Sequence, residues 1–428
     1  MIVEKDNRLF IGGVAASELA KMHGTPVYAY DEETIRMKVR ALLDGIAYQP
    51  LRIFYAAKAN TNISILEIIR DEGKGRAGLD AVSPGEIEIA LNAGFRQDEI
   101  IFTSTSVTDE EMKFAIGKGV LVNCDSLSQL ERYGRMSPGA KVCFRVNPDV
   151  GAGHHGHVIT GGPESKFGIW AADVGSAFGI VEKYGLKVVG IHEHIGSGIL
   201  ETEKFLTAMN VLLSIIEKNR DRLESLEFVD FGGGIGVPYR PDQKAIDFRE
   251  FGAAVSRLFA DFCSSFGRTL SLVIEPGRFL VAESGVLLCT VNTIKSTPSH
   301  KFVGVNTGFN HLIRPMAYGS YHPIVLVNNC GSGRKEKVAV CGDICESGDV
   351  FTRNEAGIAD RELPEIREGD VLAIMIAGAY GFSMSSNYNT RPRPAEVLVS
   401  GNSVKVIRKP EEMSHVIYGM SAGDKNKP

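Results

Sequence analysis

The sequence predicts an α/β protein, a (β/α)₈ TIM barrel followed by a mostly β domain of sandwich or barrel-like kind. Three observations carry this reading. Eight short, apolar, β-rich runs recur between residues 52 and 277, separated by stretches with helical marks. Conspicuous polar residues cluster where those runs end. Beyond about residue 281 the pattern changes to strand-like runs with few good helices between them. Buried strands joined by helical crossovers make a parallel sheet, and eight such units close a barrel. A doubly wound sheet is the alternative that the same alternation permits.

The eight runs are RIFYAA (52–57), GLDAV (78–82), EIIFT (99–103), VLVNCD (120–125), KVCFRVN (141–147), VVGIHEHIG (188–196), EFVDFGG (227–233) and SLVIEPG (271–277). Ile65, Ile68 and Ile69 then sit at helical spacing before Gly73. Ser83-Pro84-Gly85-Glu86 reads as a capping box with proline at the first helical position, and Thr108 with Glu111 repeats the spacing. The first domain is expected over residues 32–280. The second is expected to combine residues 1–31 with 281–428, because TPVYAY (25–30) is an apolar strand outside the count of eight. VLLCTVNTIKS, KVAVCGD, DVLAIMIAGA, AEVLVS and SVKVIRK supply its later strands. The tail SAGDKNKP is expected to fray.

Composition narrows the function classes. Hydrophobic residues are 44% and charged residues 23% of 428, an ordinary globular balance that argues against disorder. The net charge of −5 gives no basic excess, so nucleic acid and anionic membranes are poor partners. No run of about 18 apolar residues predicts a membrane span. The N-terminus MIVEKDNRLFIGG lacks a signal-peptide core. The seven cysteines contain no Cys-x-x-Cys, so neither a disulfide framework nor a zinc ribbon is expected, and the chain is read as cytoplasmic.

In a parallel barrel, chemistry sits on the loops after the strands. There the sequence places Lys58 and Asn60, Asp80, Arg145 with Asn147 and Asp149, His192 and His194, the glycines 232–234, and Glu275 with Arg278. A lysine against apolar walls has a depressed pKa and can form a Schiff base, although a solvent-seeking lysine is the plain alternative. FGGGIG (231–236) can bring backbone amides close to a phosphate, with Ser197 adding a hydroxyl; it is not a P-loop, and a tight turn explains it equally well. His192 and His194, at i and i+2, fall on one face of a strand, either as a metal pair or as one imidazole stacked on a flat cofactor with the other behind it. No further acid or histidine set completes a metal shell, so no metal is expected. His154, His155 and His157 lie in a glycine-rich stretch and read as a solvated or gating loop. Glu275 can hold a pyridinium nitrogen protonated or simply pair with Arg278. RPMAYGSYHP, GDICESGD and GAYGFSMSSNYNTRPRP look like a binding face in the second domain.

Taken in order, YAAKAN, GLDAVSPGE, FRVNPDVGAGHH, SKFG, HEHIGS, FGGGIGVPY, EPGR, GFNHLIRPMAYGSYHP, ICESGDVF and GAYGFSMSSNYNTRPRPAEV resemble the diaminopimelate decarboxylase family, pyridoxal-phosphate decarboxylases of the alanine-racemase-like fold. The resemblance spans about residues 25 to 400. It implies pyridoxal 5′-phosphate on Lys58, with Asp80 among the cofactor-binding residues, His194 on the ring face, Ser197, Gly233 and Gly234 at the phosphate, and Glu275 at the pyridine nitrogen. It implies that Arg278, Arg314 and Tyr318 grip the distal carboxylate of the substrate or lie beside the phosphate, and that Tyr380 lies beside both cofactor and substrate. Cys345 and Glu346 match residues that reach into a partner subunit's site, which implies a head-to-tail homodimer with shared sites.

The reaction so implied is decarboxylation of meso-diaminopimelate to L-lysine, with Lys58 and Cys345 as the catalytic groups. One departure stands out: the motif usually written Val-Asp-x-Gly reads Val305-Asn306-Thr307-Gly308, removing a charge near the substrate segment. Some members of the family apply the same chemistry to a glutamyl group tethered to an acyl carrier protein, as in butirosin-type antibiotic side chains, and that substrate is the main rival. A racemase, a non-catalytic cofactor-binding regulator and a metal-dependent barrel hydrolase are the others.

Overall fold

Strands buried on both faces read as continuous apolar runs, and the six residues Leu51–Ala56 illustrate it: all but Arg52 are buried. In the computed structural model, which describes residues 1–149, 162–331 and 333–420, this is barrel strand β1. The others are β2 (Ala77–Ala81), β3 (Ile100–Ser104), β4 (Leu121–Cys124), β5 (Lys141–Asn147), β6 (Lys187–His192), β7 (Phe228–Asp230) and β8 (Ser271–Ile274). Each pairs in parallel with the next, and β8 pairs with β1 through Ile274 and Ile53, so the sheet closes. Phe54, Ile101, Cys143 and Val273 pack together as an inner cluster.

Local signals set the crossover helices. Thr108 accepts from Glu111 N–H and Glu111 reaches back to Thr108 N–H, which starts the helix Asp109–Gly117. Ser83 caps Pro84–Asn92 by accepting from Glu86 N–H, but Glu86 Oε2 accepts from Val82 N–H instead of closing the box on Ser83. Asn62 caps Ile63–Gly73, whose Ile65, Ile68 and Ile69 are all buried.

The chain divides into two compact units, one of residues 34–282 and one of residues 1–33 with 283–428. The second is built on an extended sheet. Its N-terminal strand Val27–Asp31 lies between Gly285–Ser296, antiparallel, and Ala395–Ser400, parallel. Tyr30 Oη donates to Glu396 Oε1 at 2.7 Å inside this unit. Its core gathers Leu9, Ile11, Val27, Ala29, Val286 and Leu288 with the strand 395–400 residues Val397 and Val399. The expected loop of His154, His155 and His157 and the tail SAGDKNKP lie outside the described residues. No helix among the described residues is long and apolar enough to cross a membrane.

Candidate active site

The first group forms where β1 and β2 end. A single 3₁₀ turn, Ala57–Ala59, follows β1 and carries Lys58. Lys58 Nζ donates to Asp80 Oδ2 at 3.2 Å, and Asp80 is fully buried. Burial pushes the Asp80 carboxyl up to about 6, the Glu275 charge adds to the shift, and Lys58 and His192 oppose it. Glu86, next to them, is pushed up to about 7 by burial although Val82 N–H favours its charged form.

The second group joins β6, β7 and β8. His192, at the end of β6, is within 3.1 Å of Glu275 Oε2 through Nε2. Asp230, at the end of β7, accepts from Gly232 N–H at 2.8 Å through Oδ1. Burial works against an ionised Glu275, but His192, Lys58 and His194 outweigh it and hold the carboxyl down to about 2. Burial and the adjacent Glu275 push Asp230 well above the usual carboxylate range. The ligand atoms of His192, Asp230 and Glu275 all lie within 4.8 Å of one another. The three are remote from one another in sequence, and the His192–Glu275 contact joins two of them.

The third group is the glycine loop. Gly233 can only be glycine, because a Cβ there would strike the Glu275 carbonyl oxygen. Gly234 has φ +119°, and its Cβ would meet Gly196 O at 2.8 Å. Ile199 N–H donates to Gly234 O and Gly236 N–H to Ile199 O, both at 2.9 Å, so the loops after β6 and β7 are zipped together. That pairing brings Ser197 beside the glycines. Arg278, buried in the helix Arg278–Val281, donates to Ser197 Oγ and to Tyr239 Oη at 3.0 Å each. Glu275 pairs with His192, whereas Arg278 is directed to Ser197 and Tyr239.

The histidine pair needs one correction. The run VVGIHEHIG predicts strand through residue 196, with both rings on one strand face, but β6 ends at His192. His192 is buried among the carboxylates, whereas His194 lies in the loop, where Nδ1 accepts from Gly233 N–H at 2.9 Å. Burial, helped by Arg145 and Lys58, drives His194 far below the usual imidazole range, so the ring is neutral with its proton on Nε2. The strand stops because the backbone turns to pair its loop with the glycine run.

The remaining expected residues belong to the second unit. Arg314, 2% exposed, opens the helix Arg314–Tyr318 and donates to His322 Nε2 and Ser320 Oγ at 3.3 Å. Tyr318 ends that helix, half-buried. Cys345 and Glu346 are exposed in a turn that Asp349 clamps, accepting from Ile344 N–H at 2.8 Å and Phe309 N–H at 2.7 Å. Asn389 Oδ1 accepts from Cys345 N–H at 2.8 Å. Tyr380 sits at φ +56°, a left-handed conformation uncommon for a bulky side chain. Asn306 accepts from Thr290 N–H and donates to Thr25 O and Thr25 Oγ1 at 2.8 to 2.9 Å. A carboxylate there would lose both donations, so the Asn306 departure is a local fit to Thr25.

The barrel mouth suits a phosphorylated pyridine aldehyde. Glu275 Oε1 is buried without a donor among the described residues, the complement of a protonated ring nitrogen. An amine, a side-chain-free backbone cradle and a buried guanidinium complete the set for aldehyde and phosphate. Fold and site together define a pyridoxal-dependent enzyme. The family described as pyridoxal-dependent decarboxylase, pyridoxal binding domain, matches residues 32–282. The diaminopimelate decarboxylase of Methanothermobacter thermautotrophicus is 47% identical over 98% of this chain and 97% of its own. That of Escherichia coli K12 is 38% identical over 92% and 93%. A crystal structure of diaminopimelate decarboxylase from M. jannaschii in co-complex with L-lysine superposes with a TM-score of 0.89 at 33% identity, over 99% of this chain and 98% of that one. The chain belongs to the diaminopimelate decarboxylase family of pyridoxal-dependent decarboxylases.

Proposed function

We propose that the chain decarboxylates meso-diaminopimelate to L-lysine and carbon dioxide, with its reacting centre at the barrel mouth. The observation that carries the chemistry is Glu275: a buried carboxylate held ionised, with one oxygen lacking a donor, among the strand ends that also present Lys58. The substrate assignment rests on the named relatives, which match nearly the whole chain.

Pyridoxal phosphate, when bound, supplies the electron sink that accepts the pair released with carbon dioxide. Lys58 Nζ is the attachment amine, and Asp80 Oδ2 orients it. Glu275 keeps a proton on the ring nitrogen, backed by His192 Nε2. His194 offers a neutral ring for stacking, its plane fixed by Gly233 N–H. Gly233, Gly234, Ser197 and Arg278 take the phosphate. Arg278 also offers its guanidinium to a carboxylate of the substrate. With the cofactor bound, these groups would also orient the substrate so that the bond to the departing carboxylate is the one cleaved. Cys345 Sγ, or Lys58 Nζ, returns a proton to the α-carbon.

Cys345 and Glu346 act on the site of a second copy, in a head-to-tail homodimer. The test is carbon dioxide release from meso-diaminopimelate, free glutamate and a glutamyl-carrier-protein conjugate under identical conditions. Turnover of diaminopimelate alone is expected. Preferential turnover of the carrier conjugate overturns the substrate assignment and leaves the decarboxylase chemistry standing.

A further inference from the structure

At the opposite end of the barrel, where the strands begin, lies a cavity of about 460 Å³. Its size falls in the range of small-molecule sites, about 300–1,000 Å³. Its wall is mostly apolar and includes Phe54, Ile101, Leu121, Phe228 and Val273. Two of these rings occupy space left by glycines: a Cβ on Gly78 would strike Phe54, and one on Gly190 would strike Phe228. The rings thus lie close against the strands.

One charge in this lining stands apart. Lys141 is paired with Glu227 at 2.6 Å. Asp98 and Glu99, the acids facing Arg52, are both engaged by Arg96, at 3.0 and 2.8 Å. The half-buried Arg52 guanidinium stacks over Phe54 at 4.9 Å and donates to no carboxylate or carbonyl among the described residues. Burial lowers its pKa, the mark of a cation taken out of water without a hydrogen-bonded anion. The cavity therefore combines an apolar interior with one guanidinium at its edge that Asp98 and Glu99 face while their ion pairs run to Arg96.

We propose that this cavity is a second binding site, taking a small organic carboxylate with an aromatic or branched apolar body, its carboxylate on Arg52. A diamino acid does not fit it, because the acids that would receive a second ammonium are already paired. The site is also placed to be felt at the mouth. Phe228 and Val273 lie two residues before Asp230 and Glu275, on the same strand faces.

Calorimetric titration of the holoenzyme with 2-naphthoate and with the neutral 2-naphthamide tests this. Naphthoate is expected to saturate one site per chain and to bind at least tenfold tighter than the amide. Arg52→Met is expected to weaken it tenfold or more, and Leu121→Trp, which fills the cavity, to abolish it, both at near-normal turnover. A crystal of the wild-type complex keeps the proposal testable should a variant misfold, because density for the probe away from Arg52 overturns it. Absence of saturable binding, or binding unchanged in both variants, overturns it as well.

Discussion

Glu275 is ionised because of what faces it. Burial alone would neutralise it, yet His192, Lys58 and His194 reverse that, while Asp230 nearby is driven the other way. Two acids at adjacent strand ends are thus pushed in opposite directions, Glu275 toward the charged form and Asp230 toward the neutral one. Glu275→Gln is expected to retain the cofactor's visible absorbance while turnover falls about 10²- to 10³-fold, the usual loss for one positioned electrostatic partner. Unchanged turnover contradicts the role. Most of this site was legible in the sequence, because barrel topology sends the polar residues after each strand to one end. Asp230 was not. It lies between Val229 and Phe231 and reads as strand interior, although an acid two residues before a glycine run on an apolar strand was a usable signal. Glu86 was hidden likewise, read only as a helix cap.

The strands were legible because each is a short apolar run between cap and glycine signals, and β5 matches its run from Lys141 to Asn147. The end of β6 was not. VVGIHEHIG continues the alternation to Gly196, and only pairing with the glycine loop, a contact remote in sequence, stops the strand at His192. Glu193, the first residue past that end, carries a consequence. It is buried, its Oε2 has no donor among the described residues, and burial raises its carboxyl to about 8 against the opposing Arg145 charge. Between the ordinary carboxylate value and pH 8 the folded chain therefore binds more protons here than the unfolded chain. Stability contributed at this position falls as pH rises through that window, by at most about 1.4 kcal/mol per pH unit, and levels off above it. Glu193→Gln imitates the protonated form. Its melting temperature relative to wild type should be higher at pH 8 than at pH 5, and an offset independent of pH counts against the account.

The chain as a whole is discontinuous: strand Val27–Asp31 is completed by strands roughly 260 and 370 residues away in sequence. The change of texture after residue 281 made a second unit legible, but the pairing order within it was not, since antiparallel runs of similar character can pair in many ways. Sharing of sites between two copies predicts complementation. Lys58→Ala and Cys345→Ala chains, each nearly inactive alone, should regain activity when their subunits exchange. In a mixed dimer one site has both residues and the other has neither, so about a quarter of all sites should work at equal mixing. With exchange shown and no activity regained, the shared-site dimer fails. Borohydride reduction of the purified enzyme, followed by proteolysis and mass spectrometry, shows whether the barrel mouth around Lys58 is where pyridoxal is held for decarboxylation. The phosphopyridoxyl mass is expected on the peptide carrying Lys58, one per chain, and reduced enzyme should release no carbon dioxide; the label on any other lysine, or its absence from an active preparation, would contradict the claim.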